Sequence, residues 1–149
     1  MIQEKLKTLG ISIPPVNPPL ASYIPAKKSG NLLFISGQLP LKEGKLLVTG
    51  PMTPERNQEE VIQAMGQCFL NGLASATTVC SLDDLKGVVR LGAFVASTDH
   101  FFEQHKIANG ASDLSQKIFG DSGIHSRSAV GVPSLPMNAT VELEIIFQL

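Results

Sequence analysis

The chain has 149 residues, of which 43% are apolar and 17% charged, and its formal net charge is -1. This balance indicates one globular domain (residues 1–149), and the longest basic run, Lys27-Lys28, is too short for the basic face of a nucleic-acid-binding protein. No apolar stretch reaches the roughly 18–20 residues that span a bilayer, and Cys68 and Cys80 lack the spacing of a metal site. We therefore expect a cytoplasmic protein with two buried thiols, no metal, no membrane contact and no nucleic-acid partner.

The N-terminal part combines a helix with a proline-rich connector. Apolar residues recur at helical spacing up to Gly10, which predicts a short amphipathic helix over Ile2–Leu9. Four prolines among residues 13–19 remove four backbone donors, so this segment is predicted to be an extended connector. Leu20–Ala26 then has the composition of an irregular strand.

Two strands and the main helix follow. Asn31–Pro40 is an apolar run of strand length that ends in proline, and its Gly37 indicates a bulge or a close approach to the backbone. Leu46–Gly50 is the second predicted strand. Thr53 as N-cap and Pro54 in the first turn predict where the helix begins. Its apolar residues form one stripe that suits packing on a sheet: Val61, Ile62, Met65, Cys68, Phe69, Gly72, Leu73 and Ala76.

The next part of the chain predicts a strand and a second helix. Val88–Ala96 is apolar on both faces apart from Arg90, as a central strand would be. The second helix is predicted somewhere within Asp99–Phe119, where Asn109-Gly110 is expected to break or bend it.

The last part of the chain predicts two strands and a candidate site. Ser126–Pro133 and Val141–Phe147 each alternate apolar with small or polar residues, and a proline- and asparagine-containing turn between them predicts an antiparallel hairpin. Such pairing would place Arg127 near Glu142 or Glu144. The contact is either a cross-strand salt bridge or a site in which Arg127 binds a carboxylate and a glutamate moves a proton.

The predicted order after the N-terminal helix is β-β-β-α-β-α-β-β. We expect an α+β domain, a mixed sheet of six strands with both helices on one face. Its other face would then expose apolar residues and be buried against further subunits. The residues predicted to provide that apolar surface are Leu33, Ile35, Val89, Leu91 and Phe147.

Two stretches match a known family pattern. They are Phe34-Ile35-Ser36-Gly37-Gln38-Leu39-Pro40, and Arg127-Ser128 followed by Leu135-Pro136-x-x-Ala139-x-Val141-Glu142-Leu143-Glu144. They resemble the YjgF/RidA family of reactive-intermediate deaminases, also labelled the endoribonuclease L-PSP family. The resemblance implies a chorismate-mutase-like subunit and a homotrimer with clefts between neighbouring subunits. Residues 1–19 lie outside the usual core of that family.

The resemblance also implies roles for individual residues. Arg127 matches the family's carboxylate-binding arginine, and Glu142 matches the glutamate that orients a water molecule. Tyr23 matches a tyrosine of the cleft, and Asn109 matches an asparagine on the second helix.

Three further positions complete the predicted substrate-binding set. Ser36 and Gly37 belong to the Ser-Gly-Gln motif, and the bare backbone at Gly37 would orient the substrate. Ala129 stands where relatives often have cysteine, which excludes a role for a thiol at that position.

The implied function is the hydrolytic deamination of enamine or imine intermediates of the 2-aminoacrylate type to 2-keto acids and ammonia. Such a substrate is already activated, so no metal or cofactor is required. A protein that only binds small carboxylate metabolites is the alternative, since it needs every site residue except Glu142. Single-strand endoribonuclease or translation-inhibitor activity is disfavoured by the 5% aromatic content and the negative charge.

Overall fold

A five-stranded mixed sheet with two long helices on one face forms the body of the protein. The structure is a computed structural model that describes residues 1–149. The strands are β1 (Ala26–Ser29), β2 (Leu32–Gln38), β3 (Leu41–Lys42), β4 (Lys45–Leu46), β5 (Gly87–Ala96), β6 (Ser126–Val132) and β7 (Val141–Gln148). The helices are α1 (Ile2–Thr8), α2 (Glu59–Ala76) and α3 (Gln104–Phe119). The predicted α+β class is confirmed, with five strands in the main sheet because β3 and β4 pair only with each other.

The sheet order is β1-β2-β7-β5-β6, and the predicted hairpin between β6 and β7 is wrong. Strand β5 lies between them, antiparallel to β7 and parallel to β6. Most of β5 is buried, so both of its edges need backbone partners. No residue of β6 is fully buried, which suits the sheet edge.

The core lies between the sheet and helix α2, as the apolar stripe predicts. Every residue of that stripe is buried except Ile62, which is partly buried. The helix begins at Glu59 and not at Pro54 after a Thr53 cap, so its predicted start is wrong. Thr53 instead closes an isolated turn, in which its hydroxyl oxygen accepts a hydrogen bond from the Arg56 backbone at 3.2 Å.

Helix α3 lies within the predicted range and continues through Asn109-Gly110 without a break. A Cβ atom at Gly110 would overlap the backbone carbonyl of Ile62, so glycine is needed where α3 crosses α2. Two predicted strands are mostly absent, because Leu20–Ala26 and Leu46–Gly50 each contribute one residue to a strand.

The sheet face opposite the helices is uncovered, as predicted, although its apolar residues differ from the predicted ones. Leu33, Ile35, Leu91 and Phe147 point to the helices and are buried, and only Val89 is exposed. The open face presents Phe34 and Val130, which are 40% and 43% exposed, together with Phe94 and Ile146. Along each strand, residues that face the helices alternate with residues that face the open side. The prediction therefore placed Leu33, Ile35, Leu91 and Phe147 on the wrong face of the sheet.

Candidate functional site

Four of the predicted site residues lie together in a cleft of about 520 Å³ at the open face of the sheet. These residues are Tyr23, Ser36, Gly37 and Glu142, and Glu144 lines the same cleft. The resemblance implied this grouping, although Tyr23 is more than 100 residues from Glu142 in the sequence.

The Glu142 carboxyl in this cleft has a raised pKa. Its side chain is half-buried on β7, and this burial raises its pKa, with a further contribution from the negative charge of Glu144. A carboxylate whose pKa is raised toward neutrality is a better general base than an ordinary glutamate.

Gly37 explains how Glu142 comes so close to strand β2. A Cβ atom at Gly37 would overlap the Glu142 carboxylate, so any larger residue would displace it. The pairing of β2 with β7 shifts register between Ile35 and Gln38, which confirms the bulge predicted at this glycine. The bulge therefore makes room for the carboxylate beside bare backbone.

Ser36 and Tyr23 shape the cleft in different ways. The Ser36 hydroxyl donates a hydrogen bond to the Ile24 carbonyl at 2.6 Å, which holds the segment that carries Tyr23 against β2. The Tyr23 hydroxyl oxygen accepts a hydrogen bond from the Leu20 backbone at 3.3 Å, and the residue is 45% exposed. The Ser36 proton is thus engaged within the chain, whereas the Tyr23 hydroxyl can still donate to a ligand.

A second cluster surrounds Arg127 on the helix face of the sheet. Nη1 of Arg127 donates to Asn109 Oδ1 at 2.8 Å and to Ser112 Oγ at 3.0 Å, and Nη2 donates to the His105 carbonyl at 3.1 Å. These contacts use three of the five N–H groups of the guanidinium, so two remain for a ligand. Ala129 follows on the same face and packs against the core.

The two clusters do not meet within one chain. Arg127 is level with Leu91 on β5, and Glu142 is level with Phe94 on the same strand but faces the opposite side of the sheet. Strands β6 and β7 are two strand spacings apart, and Leu91 and Phe94 are three residues apart along β5. These offsets separate the Cα atoms of Arg127 and Glu142 by about 14 Å. The predicted contact between Arg127 and Glu142, either as a salt bridge or as a shared site, is therefore absent from a single subunit, because β5 separates β6 from β7.

The comparisons with known proteins decide the family. The sequence model of the family described as "YjgF/chorismate mutase-like, putative endoribonuclease" matches residues 3–149. The chain belongs to the YjgF family. The predicted resemblance and the chorismate-mutase-like fold are both confirmed by this match.

Three relatives indicate the range of names within the YjgF family. Protein TCP17 from Trypanosoma cruzi is 37% identical over 99% of this chain and 94% of its own length. A 2-iminobutanoate/2-iminopropanoate deaminase from Dermatophagoides farinae is 30% identical over 91% of this chain and 92% of its own. The crystal structure of Atu1372, a protein of unknown function from Agrobacterium tumefaciens, is 39% identical, covers 99% of this chain and 92% of its own, and has a TM-score of 0.87.

The N-terminal segment is shared by some members of the YjgF family. TCP17 and Atu1372 each align with 99% of this chain, so both contain a counterpart of residues 1–19. Here the backbone of Gln3 donates to Asp83 at 3.0 Å, and Leu6 is buried in the core. Leu20, which directly follows the connector, is part of the lining of the Glu142 cleft. None of the helices is both long and apolar enough to cross a bilayer.

Sequence reasoning missed Ser112, whose hydroxyl oxygen accepts a hydrogen bond from Arg127 at 3.0 Å, next to the 2.8 Å contact with Asn109. The signal was present, because residues three apart on a helix lie on one face and Ser112 follows Asn109 at that spacing. His125 was also not singled out, although its ring nitrogen lies 2.9 Å from the Ser112 hydroxyl oxygen.

Proposed function

We propose that this YjgF-family protein is a cytoplasmic hydrolase that deaminates enamine and imine intermediates of the 2-aminoacrylate type. The observation that supports this best is the half-buried Glu142 carboxyl, whose pKa is raised beside the bare backbone of Gly37 in an open cleft. The relative named as a 2-iminobutanoate/2-iminopropanoate deaminase supports the same chemistry.

The two clusters supply the parts that imine hydrolysis needs. The two N–H groups left on Arg127 bind the substrate carboxylate side by side. Glu142 takes a proton from water while the water oxygen bonds to the imine carbon, and the protons then pass to the substrate nitrogen. Cleavage of the C–N bond releases ammonia and leaves a 2-keto acid, so no oxidant or cofactor enters the balance.

A site made of both clusters requires a second copy of the chain. Arg127 and Glu142 lie on opposite faces of the sheet, about 14 Å apart by strand geometry. We place Arg127 of one subunit against the Glu142 cleft of its neighbour in a homotrimer. The uncovered face with Phe34 and Val130 supplies apolar surface for such contacts.

The trimer is expected to have a mass of about 48 kDa in light scattering, three times the 15.9 kDa of one chain. The shared cleft is tested by mixing two impaired variants, Arg127→Lys and Glu142→Gln, in equal amounts after unfolding and refolding. Random assembly should restore about a quarter of the sites, because each site takes one residue from each neighbour. A monomer mass, or no recovery in mixed trimers, would contradict a site shared between subunits.

The activity is tested by adding the protein to 2-aminoacrylate that is generated enzymatically in the assay. We expect faster release of ammonia and pyruvate than in buffer, and an enzymatic rate at least about 10²-fold lower with Glu142→Gln. If both proteins bind pyruvate but neither accelerates release, the chain is a binder of carboxylate metabolites and the deaminase proposal fails. RNA cleavage is less well supported, since Glu142 and Glu144 in the cleft would repel phosphates.

A further inference from the structure

A series of hydrogen bonds runs from the carbonyl of the buried Gly123 to the Arg127 guanidinium. His125 Nδ1 lies 2.6 Å from the Gly123 carbonyl oxygen, and His125 Nε2 lies 2.9 Å from Ser112 Oγ. Ser112 Oγ in turn accepts a hydrogen bond from Nη1 of Arg127 at 3.0 Å. Arg127 lies on β6, His125 directly precedes that strand and Ser112 lies on α3, and none of the predicted site roles includes His125 or Ser112.

The donor and acceptor atoms of the Gly123 carbonyl, His125, Ser112 and Arg127 fix the direction of these hydrogen bonds. A carbonyl oxygen only accepts, so His125 Nδ1 carries the proton and donates to Gly123. In the neutral ring, Nε2 then has a free lone pair and accepts the Ser112 hydroxyl proton. The remaining lone pairs of Ser112 Oγ are left to face Arg127. Every donor in the neutral arrangement therefore meets an acceptor.

The surroundings make this series of hydrogen bonds rigid. Ser112 is only 7% exposed on α3, and Ser115, one turn further along, donates to the same Gly123 carbonyl at 2.8 Å. A Cβ atom at Gly123 would overlap the Ser115 carbonyl, so the loop lies directly on the helix. The Gly123 carbonyl, which accepts the hydrogen bond from His125, is thus fixed to helix α3, which also carries Ser112.

We propose that His125, acting through Ser112, is a positioning residue for the carboxylate-binding Arg127. By accepting a hydrogen bond from the Ser112 hydroxyl, the neutral imidazole orients the serine oxygen so that its lone pairs face Nη1. Asn109 binds the same nitrogen and the His105 carbonyl accepts from Nη2, so three N–H groups hold the guanidinium and the other two are left for the ligand. This inference rests on the proposed role of Arg127 as carboxylate anchor.

Two substitutions at His125 separate positioning from a general structural role. In His125→Gln the side-chain oxygen can reach the place of Nε2 and still accept from Ser112. In His125→Asn the amide reaches only the place of Nδ1, so the bond to Gly123 is kept while Ser112 loses its acceptor. We expect His125→Asn to weaken pyruvate binding about three- to tenfold, the scale of one oriented hydrogen bond, and His125→Gln to recover most of that loss.

The measurements are calorimetric binding of pyruvate and steady-state kinetics of imine hydrolysis, on variants whose melting temperatures are recorded. The loss should appear in KM rather than in kcat, because Arg127 binds the carboxylate and does not move protons. Ser112→Ala should match His125→Asn, and the double variant should lose no more than either, since both act through one series of hydrogen bonds. If His125→Asn does not fold, Ser112→Ala tests the same series of hydrogen bonds in its place.

The outcomes distinguish this inference from the proposed function. Equal losses in His125→Gln and His125→Asn, additive losses in the double variant, or unchanged pyruvate binding in all three would overturn the positioning role. Absence of pyruvate binding in the parent protein would overturn it as well. Binding that depends on His125 in a protein without imine hydrolysis would leave the positioning role standing and refute the deaminase proposal.

Discussion

Replacing Glu142 with Gln should slow imine hydrolysis by roughly 10²–10⁴-fold, the usual scale for a missing general base. The amide keeps the shape of the side chain and its fit against Gly37 but has no basic oxygen. Pyruvate binding should be as tight as in the parent protein or tighter, because a negative charge next to the substrate carboxylate has been removed. Single-turnover rates and calorimetry measure the two effects separately.

The matched control is Glu144→Gln, which neutralises a carboxylate of the same cleft two residues along the same strand. Its effect on turnover should be small, because Glu144 is exposed and acts on Glu142 only through its charge. If Glu144→Gln shows the larger loss, the assignment of the general base is wrong. If neither variant slows hydrolysis, the cleft is not catalytic.

The raised pKa of Glu142 gives the same experiment a pH signature. The base acts when deprotonated, so activity should fall with decreasing pH at a higher pH than the ordinary pKa of glutamate would give. The contribution of Glu142 to the free energy of unfolding changes with pH in the opposite direction to the activity. A carboxyl whose pKa is raised by folding favours the folded state while it is protonated, and this contribution is lost as the pH rises through the raised pKa. Glu142→Gln should therefore be more stable than the parent at neutral pH, with the difference disappearing in acid.

Local patterns in the sequence predicted most of the elements. The alternation in Val141–Phe147 and the stripe that includes Met65 and Phe69 each follow from a single buried face, which neighbouring residues reveal. The start of α2 was missed because Thr53 and Pro54 also suit an isolated turn, and nothing in those two residues indicates that the helix waits until Glu59.

Strand pairing could not be predicted in the same way. A short loop after β6 favours a hairpin with β7, but the mostly buried β5 needs partners on both edges and takes the place between them. This choice depends on residues 87–96, far from the turn, and it moves Arg127 to the other side of the sheet from Glu142. The residues of the candidate site were named from the family pattern, whereas their division into two clusters required the structure.

The Arg127 cluster leads to a second large expected effect. Arg127→Lys should lower kcat/KM by about 10- to 100-fold although the positive charge is kept, because charge-assisted hydrogen bonds contribute roughly 1.5–3 kcal/mol each. An ammonium cannot offer two parallel N–H groups, and it cannot contact Asn109, Ser112 and the His105 carbonyl together from one nitrogen while also binding a ligand.

The loss in Arg127→Lys should be specific for the carboxylate. Pyruvate should bind much more weakly to the variant than to the parent, whereas the uncharged amide of pyruvate, which binds the parent poorly, should lose little. Arg90→Lys is the matched control on the adjacent strand, where the guanidinium contacts only the Ser128 hydroxyl at 3.0 Å and is exposed. If Arg127→Lys binds pyruvate as the parent does, or if Arg90→Lys weakens binding equally, the carboxylate anchor lies elsewhere, and the shared cleft would have to be rebuilt around a different cation.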